Sequence, residues 1–128
     1  MDHMTNIDGE KKVRILVCGG RDFSDRDAVY GVLNSYDTGE KEITIISGGA
    51  QGADTLAHDW ALVFRKDTMI FHADWKTHGK AAGPIRNAEM LRVGKPDFVV
   101  AFPGGRGTAH MVSIAEAAGV PVIEFGEF

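Results

Sequence analysis

The chain lacks the cysteines that a disulfide bond would need. Its single cysteine, Cys18, cannot pair within the chain, which suits a reducing compartment. The polar first residues, Met1–Asn6, have no apolar stretch of the kind found in a secretory signal peptide. No apolar run approaches the length that spans a bilayer, so we expect no membrane insertion. Together these features predict a cytoplasmic protein.

A positive charge excess is also missing, because the formal net charge is −4. Proteins that coat nucleic acids without sequence preference are normally basic, so binding along a nucleic-acid backbone is not expected. The histidines show no metal-ligand spacing, and with one cysteine we predict no metal site. These features identify no certain cofactor.

The length of 128 residues suits one domain. We expect an N-terminal tail over residues 1–12, either disordered or derived from cloning, with Met4 as an alternative natural start. Residues 13–128 then form the single folded domain.

Five β-type runs alternate with helical patterns along this domain. The second and fourth runs are apolar almost throughout, as in strands that helices cover on both faces. This order predicts an α/β fold, a Rossmann-like three-layer sandwich with a five-stranded parallel sheet of order 3-2-1-4-5. The five runs lie at residues 13–18, 43–47, 68–72, 97–102 and 120–125.

Helical spacing of apolar residues predicts which faces turn inward. In the second helix these are Leu56, Trp60 and Val63, and in the third they include Ile85 and Ala88. The four helices are predicted to open at Ser24 with a capping box to Asp27, after Gly52, at Pro84 and after Thr108.

Three of the five strands end in a pair of glycines, and all three pairs fall at the carboxyl edge of the predicted sheet. Glycine lets backbone N–H groups approach a ligand, and a following helix adds its partial positive charge. Gly104–Thr108 has this form and ends in a hydroxyl. One such loop is as often only a tight turn, but three that converge favour a phosphate-bearing ligand.

Arginine placement points to the same edge. Arg86 falls in the first turn of the third helix, Arg106 just before the fourth, and Arg21 after the first glycine pair. A cation at a helix N-terminus is disfavoured by up to about 1 kcal/mol, which makes sense if an anion binds there. The alternative is three solvated surface charges. We expect Arg86 to bind the ligand at some cost to the stability of the empty protein.

The predicted ligand-binding set therefore combines the loops with these arginines and with Asn87, which either reads a base edge or sugar hydroxyl or caps its helix. The set comprises Gly19, Gly20, Arg21, Ser47, Gly48, Gly49, Gly52, Arg86, Asn87, Gly104, Gly105, Arg106, Gly107 and Thr108.

Catalytic residues are harder to assign, and the candidates are Arg86, His110, Asp22 and Asp54. Asp54 in a helical first turn is explained by the helix dipole alone. Trp75, in the longest loop, either stacks on a base or packs the loop down, and packing is the favoured interpretation.

Familiar nucleotide and hydrolase fingerprints are absent. The chain has no G-x-x-x-x-G-K-[ST], no G-x-G-x-x-G after the first strand and no G-x-S-x-G. A P-loop NTPase, an ordinary dinucleotide dehydrogenase and an α/β-hydrolase are therefore not expected.

Five motifs follow one another along the domain: G-G-R-D-F at 19–23, S-G-G-A-Q-G-A-D at 47–54, A-D-W-K at 73–76, A-G-P-I-R-N at 82–87 and A-F-P-G-G-R-G-T at 101–108. In this order they resemble those of the YspA-like family, a branch of the SMF/DprA–LOG (SLOG) superfamily common in bacteria and phages. The resemblance runs from about Val13 to Phe125 and implies a Rossmann-like fold that senses or processes a nucleotide-type ligand.

Within this superfamily, LOG enzymes cleave a nucleoside monophosphate to base and ribose 5-phosphate, with the motif P-G-G-x-G-T-x-x-E. Residues 103–108 match its phosphate-binding part, and Arg86 resembles the upstream arginine of those enzymes. The glutamate position holds Met111, whose thioether cannot act as an acid or base. The DprA branch binds single-stranded DNA, which the acidic net charge disfavours here.

Two interpretations stay open, and with them whether the chain is an enzyme. One is a binding or sensing module for a nucleotide-derived ligand. The other is a phosphoribohydrolase-like enzyme or a transferase that uses Asp22, Asp54, Glu89 or His110 in place of the missing glutamate. We also expect a homo-oligomer, most simply a dimer, from the resemblance and from the apolar surplus of Tyr30, Phe64 and Phe128.

Overall fold

The computed structural model describes residues 12–126. The expected tail lies outside the described residues except for Lys12, which opens the first strand. The strands are β1 (Lys12–Cys18), β2 (Glu42–Ser47), β3 (Asp67–Ile70), β4 (Phe98–Ala101) and β5 (Val122–Glu124). The helices are α1 (Arg26–Tyr36), α2 (Ala53–Val63), α3 (Trp75–His78), α4 (Ala82–Arg92) and α5 (Arg106–Ala117), and a 3₁₀ turn spans Gly79–Ala81.

The sheet has the order β3-β2-β1-β4-β5, and every strand pair is parallel, as predicted. β1 is central, and its Ile15 pairs with Ile45 of β2 on one side and Phe98 of β4 on the other. The chain winds outward in both directions from this strand, so the loops after β1 and β4 lead to helices on opposite faces of the sheet. Such a switch point is where open parallel sheets bind ligands.

Helices cover both faces of the sheet and divide the core in two, which confirms the three-layer sandwich. On one face, α1 and α2 bury Leu33 and Trp60 against Ile15. On the other, α4 and α5 bury Met90 and Met111 against β-strand side chains such as Leu16. Because successive strand residues point to opposite faces, the apolar run of β1 supplies both cores.

The helices begin at residues slightly different from those predicted. The N-cap of α1 is Asp25 rather than Ser24, because the Asp25 carboxylate accepts a hydrogen bond from the Ala28 N–H at 3.0 Å. The 3₁₀ turn feeds directly into α4, so this helix opens at Ala82, two residues before Pro84. α5 opens at Arg106, which places Thr108 inside its first turn.

Helix orientation departs further from the prediction. Trp60 is fully buried as expected, but Val63 is 60% exposed. In α4, Ile85 is 43% exposed and Ala88 is exposed, so the predicted inward face was wrong. The helix instead buries a face that contains Asn87, whose hydrogen bonds compensate the burial of its amide. None of the helices within residues 12–126 combines the length and apolar character that crossing a bilayer requires.

Candidate functional site

A cavity of about 1440 Å³ opens above the carboxyl ends of β1, β2 and β4. Its walls are the loops after these strands, the segment after β3 and the first turns of α4 and α5. Most predicted ligand-binding residues line it: Gly19, Gly20, Arg21, Gly48, Gly49, Arg86, Asn87, Gly104, Gly105, Arg106, Gly107 and Thr108. Ser47 and Gly52 are not in the lining, since Ser47 is buried at the end of β2 and Gly52 packs against the backbone after β1.

The glycines of this crevice serve two different purposes. A Cβ on Gly19 would lie 2.6 Å from the Cβ of Ala53, and one on Gly104 would lie 2.6 Å from the Gly20 nitrogen. These glycines let neighbouring loops touch, and the Gly20 N–H donates to the Pro103 carbonyl at 2.8 Å. The structure thus gives them a packing role that does not require a ligand.

Gly105 and Gly107 differ, because a Cβ at either position would meet no atom within 4 Å. They flank Arg106 at the start of α5. Glycine is not needed there for contacts within the protein, and both positions leave space in the crevice. That space is where a ligand could approach the backbone.

The N-terminus of α5 offers donors to such a ligand. Its N-cap is Gly105, and no side chain caps it. The first helical bond runs from the Ala109 N–H to the Gly105 carbonyl at 3.0 Å, so the preceding N–H groups have no acceptor within the helix. These donors and the positive end of the helix dipole meet at one wall of the cavity.

The N-terminus of α2 is closed by comparison. Its Ala53 N–H donates to the Gly20 carbonyl at 3.3 Å. One oxygen of the Asp54 carboxylate accepts from the N–H groups of Gly48 at 2.9 Å and Ala50 at 3.3 Å. Asp54 therefore folds the loop after β2, a role that goes beyond the expected interaction with the helix dipole.

Burial sets the proton affinity of Asp54. The side chain is 6% exposed, and this burial raises the pKa of Asp54 from 3.8 to about 6. The two backbone hydrogen bonds and the nearby Arg86 charge oppose that rise. Asp54 Oδ2 therefore holds the loop, while the residue also lines the cavity.

Arg86 bridges two walls of the crevice. Its Nη1 donates to the Gly48 carbonyl at 2.7 Å, and its Nε donates to Asn87 Oδ1 at 3.0 Å. Burial lowers the pKa of Arg86, the Asp54 charge raises it, and Arg21 lowers it further. These two hydrogen bonds stabilise the empty protein, contrary to the expectation that Arg86 lowers its stability. They use only two of the five guanidinium N–H donors.

Asn87 joins α4 to α5, which neither predicted role anticipated. Its side chain is 4% exposed, and its Nδ2 lies 3.1 Å from His110 Nδ1 and 3.3 Å from the Gly107 carbonyl. With Oδ1 accepting from Arg86, the amide orientation is consistent across its contacts. The Asn87 amide then donates to His110 Nδ1, which leaves the proton of the neutral imidazole on Nε2.

The remaining catalytic candidates fall in different places. Asp22 is exposed at the rim, and His110 lines the cavity. Glu89 was a wrong candidate, because it lies outside the lining and pairs with Arg92 at 3.8 Å. Met111 is 1% exposed and packs in the core. Among residues 12–126, no group of three or more His, Cys, Asp or Glu side chains is arranged to hold a metal ion.

The segment after β3 contributes a wall that the glycine and arginine patterns did not reveal. Trp75 is 54% exposed and lines the cavity with one ring edge beside Gly83, so it packs the loop down only in part. The cue for this wall in the sequence was the length of the loop that carries Trp75. Its lining residues are His72, Ala73, Trp75, Lys80, Gly83 and Pro84.

Comparisons with known proteins agree with this architecture. The X-ray structure of TM1055 superposes with a TM-score of 0.66 at 22% identity, covering 88% of this chain and 72% of that one, which is a likeness of fold. The "Gene 61 protein" of Mycobacterium phage D29 is 40% identical over 122 residues, which are 89% of this chain and 97% of the relative. A family model matches residues 13–78, more than half of the chain. On these grounds the chain belongs to the YspA, cpYpsA-related SLOG family.

Proposed function

We propose that this protein binds a nucleotide or a nucleotide-derived phosphorylated ligand, with a phosphate group at the N-terminus of α5. The observation that carries the proposal is the uncapped start of this helix, where Gly105 and Gly107 face open space in the crevice. The family and the fold support a nucleotide-related role in general. The proposal includes a cytoplasmic setting, which a free, buried cysteine suits.

Positive side chains support an anionic ligand. Arg106 is the first residue of α5, where its charge opposes the helix dipole unless an anion lies nearby. Arg86 and Arg21 line the same cavity. Guanidinium groups bind phosphate through paired N–H donors, so three of them around one crevice favour a phosphate over a neutral ligand.

Binding or sensing explains the site with fewer assumptions than hydrolysis of an N-glycosidic bond. One oxygen of the Asp54 carboxylate already accepts two loop N–H groups, and Met111 offers no acid or base. One observation keeps the hydrolase as a second candidate: His110 lines the crevice one turn into α5, and its ring is oriented by Asn87. Incubation with nucleoside monophosphates, followed by chromatography for free base and ribose 5-phosphate, distinguishes the two.

A pair of glycine substitutions tests the phosphate site. Gly107→Ala adds a methyl group that meets no protein atom, so the empty protein should keep or slightly increase its stability. The methyl occupies ligand space, and loss of one charge-assisted hydrogen bond should weaken binding of AMP and ribose 5-phosphate by about tenfold or more in calorimetry.

Gly31→Ala is the matched control. Gly31 is exposed within α1, away from the cavity, and a Cβ there also meets nothing within 4 Å. This variant should bind as the wild type does. Equal affinity of the Gly107→Ala and Gly31→Ala variants would rule out the α5 site, and mass spectrometry of ligand released from purified protein would identify the natural occupant.

A further inference from the structure

The two tryptophans of the chain have opposite environments. Trp60 is fully buried, and its Nε1 donates to Asn34 Oδ1 at 2.8 Å. Trp75 is 54% exposed and lines the crevice that also contains the start of α5. An indole carries a large apolar surface, and folded proteins usually bury most of it.

The turn that carries Trp75 is held by defined contacts. The Asp74 carboxylate caps α3 by accepting from the Thr77 N–H at 3.1 Å, and the His78 N–H donates to the Asp74 carbonyl at 3.0 Å. α3 ends at His78, and the next residue, Gly79, has a φ of +56°, which suits glycine. The turn that carries the indole is therefore held by these hydrogen bonds.

The first turn of α4 supports the edge of the indole. A Cβ on Gly83 would lie 3.4 Å from Cη2 of Trp75, an ordinary contact distance, so the six-membered ring lies beside this buried glycine. The residue is 54% exposed and is one of those that line the cavity. Lys80 lines the same wall. None of the cavity-lining side chains His72, Trp75 and Lys80 carries a negative charge.

From this geometry we propose that Trp75 forms the base subsite of the crevice, on which the flat nucleobase of the ligand stacks while its phosphate binds at α5. The inference rests on the proposed function and specifies its ligand class as one that retains a base. Stacking on an aromatic ring tolerates every base, because each has a π-face. The cavity of about 1440 Å³ is large enough for base, ribose and phosphate together.

Calorimetry with three probes tests the subsite. The probes are the tightest binder among AMP, GMP, CMP and UMP, its nucleoside, and ribose 5-phosphate. Trp75→Ala should weaken binding of the nucleotide and the nucleoside by about 5-fold to 100-fold, the range for loss of one stacked base, and leave ribose 5-phosphate unchanged. Trp75→Phe should retain most of the affinity.

Fluorescence gives an independent readout. Trp60 is shielded, so emission that acrylamide quenches in the wild type should come from Trp75, and bound nucleotide should remove that access. In Trp75→Ala, the remaining emission of Trp60 and the urea midpoint report whether the variant is folded.

The outcomes separate this inference from the proposal beneath it. If Trp75→Ala changes neither nucleotide nor nucleoside binding, or weakens ribose 5-phosphate equally, the base subsite is wrong. Ribose 5-phosphate binding as tightly as every nucleotide would also overturn it and leave the phosphate site standing. Trp75-dependent nucleoside binding without any ribose 5-phosphate binding would retain the subsite and reject the phosphate site, and no binding of any probe would reject both.

Discussion

Asp54 makes stability depend on pH in a direction opposite to that of most carboxylates. Burial raises its pKa from 3.8 to about 6, so between these values the folded protein holds a proton that the unfolded chain has released. Stability from this group is therefore greatest at low pH and is lost as pH rises through about 6. The full difference amounts to about 3 kcal/mol.

Asp54→Asn should remove this pH dependence. On lowering the pH from 7.5 to about 4.5, the wild type should gain about 2 kcal/mol of stability relative to the variant in urea unfolding. Asp59→Asn removes one charge from an exposed position of the same helix and is the control. Parallel pH profiles of the wild type and Asp54→Asn would show that the burial effect is absent.

Arg86 combines a structural role with the proposed ligand contact. Arg86→Ala should weaken AMP binding by about 1.5–3 kcal/mol, the range for a hydrogen bond to a charged group. Loss of its bonds to Gly48 and Asn87 should lower apo stability by about 1 kcal/mol.

The control for this substitution lies on the same helix. Arg92→Ala removes an exposed arginine whose partner is Glu89, and it should alter binding little. Calorimetry and thermal unfolding measure both quantities. Normal AMP affinity in Arg86→Ala, together with a much lower melting temperature, would assign Arg86 to the structure alone.

The N-terminal turn of α2 depends on Gly52 for two separable reasons. Its φ is +81°, and a Cβ would overlap the Gly20 carbonyl. Gly39 has φ +84° with no atom near its Cβ position, so Gly39→Ala should cost only the backbone strain, about 1–2 kcal/mol. Gly52→Ala should cost about 1–3 kcal/mol more through overpacking, measured by urea unfolding.

Equal destabilisation by the Gly52→Ala and Gly39→Ala substitutions would mean that the loop after β1 moves away from the added methyl group at no cost in stability. The comparison therefore measures how firmly the loops after β1 and β2 are joined.

The sequence predicted strand order well, because the alternation of apolar runs and helices leaves few topologies for a parallel sheet. The sequence predicted less well which face of each helix is buried. In α4 the apolar Ile85 faces solvent and the polar Asn87 is buried, since its amide connects Arg86 with His110. An apolarity pattern cannot anticipate a buried amide whose partners come from another helix.

The glycine loops of the candidate site could be predicted from the sequence, but the wall formed by the segment after β3 could not. Glycine pairs at strand ends mark the crevice, but they do not distinguish packing glycines such as Gly104 from open ones such as Gly105. That distinction depends on contacts between loops distant in sequence. The exposure of Trp75 could not be predicted for the same reason, because no local pattern reports how much of a loop side chain packs against a distant helix.

At the scale of the whole molecule, we expect a homodimer. The end of α2 exposes three consecutive apolar side chains, with Leu62 at 62%, Val63 at 60% and Phe64 at 41%. Phe64 contacts Tyr30 edge to face, so these two residues of the predicted apolar surplus share one surface, while Phe128 lies outside the described residues. Apolar groups concentrated at one place favour association.

Sedimentation velocity tests the dimer. Leu62→Glu should shift the protein toward a monomer, and Val93→Glu, at an exposed apolar position after α4, should not. A wild-type monomer at high micromolar concentration would contradict the expectation.

Cys18 ends the central strand, is 7% exposed and is the only thiol in the chain. Burial, with the charges of Asp54 and Glu124, raises the pKa of this thiol from 9.0 to about 12, so it scarcely reacts while folded. The rate at which Cys18 is labelled therefore reports how often the sheet opens. At pH 7.5 an aromatic disulfide reagent should label it slowly in buffer and rapidly in urea, and a ligand at free concentration c should lengthen the labelling time by the factor 1 + c/Kd.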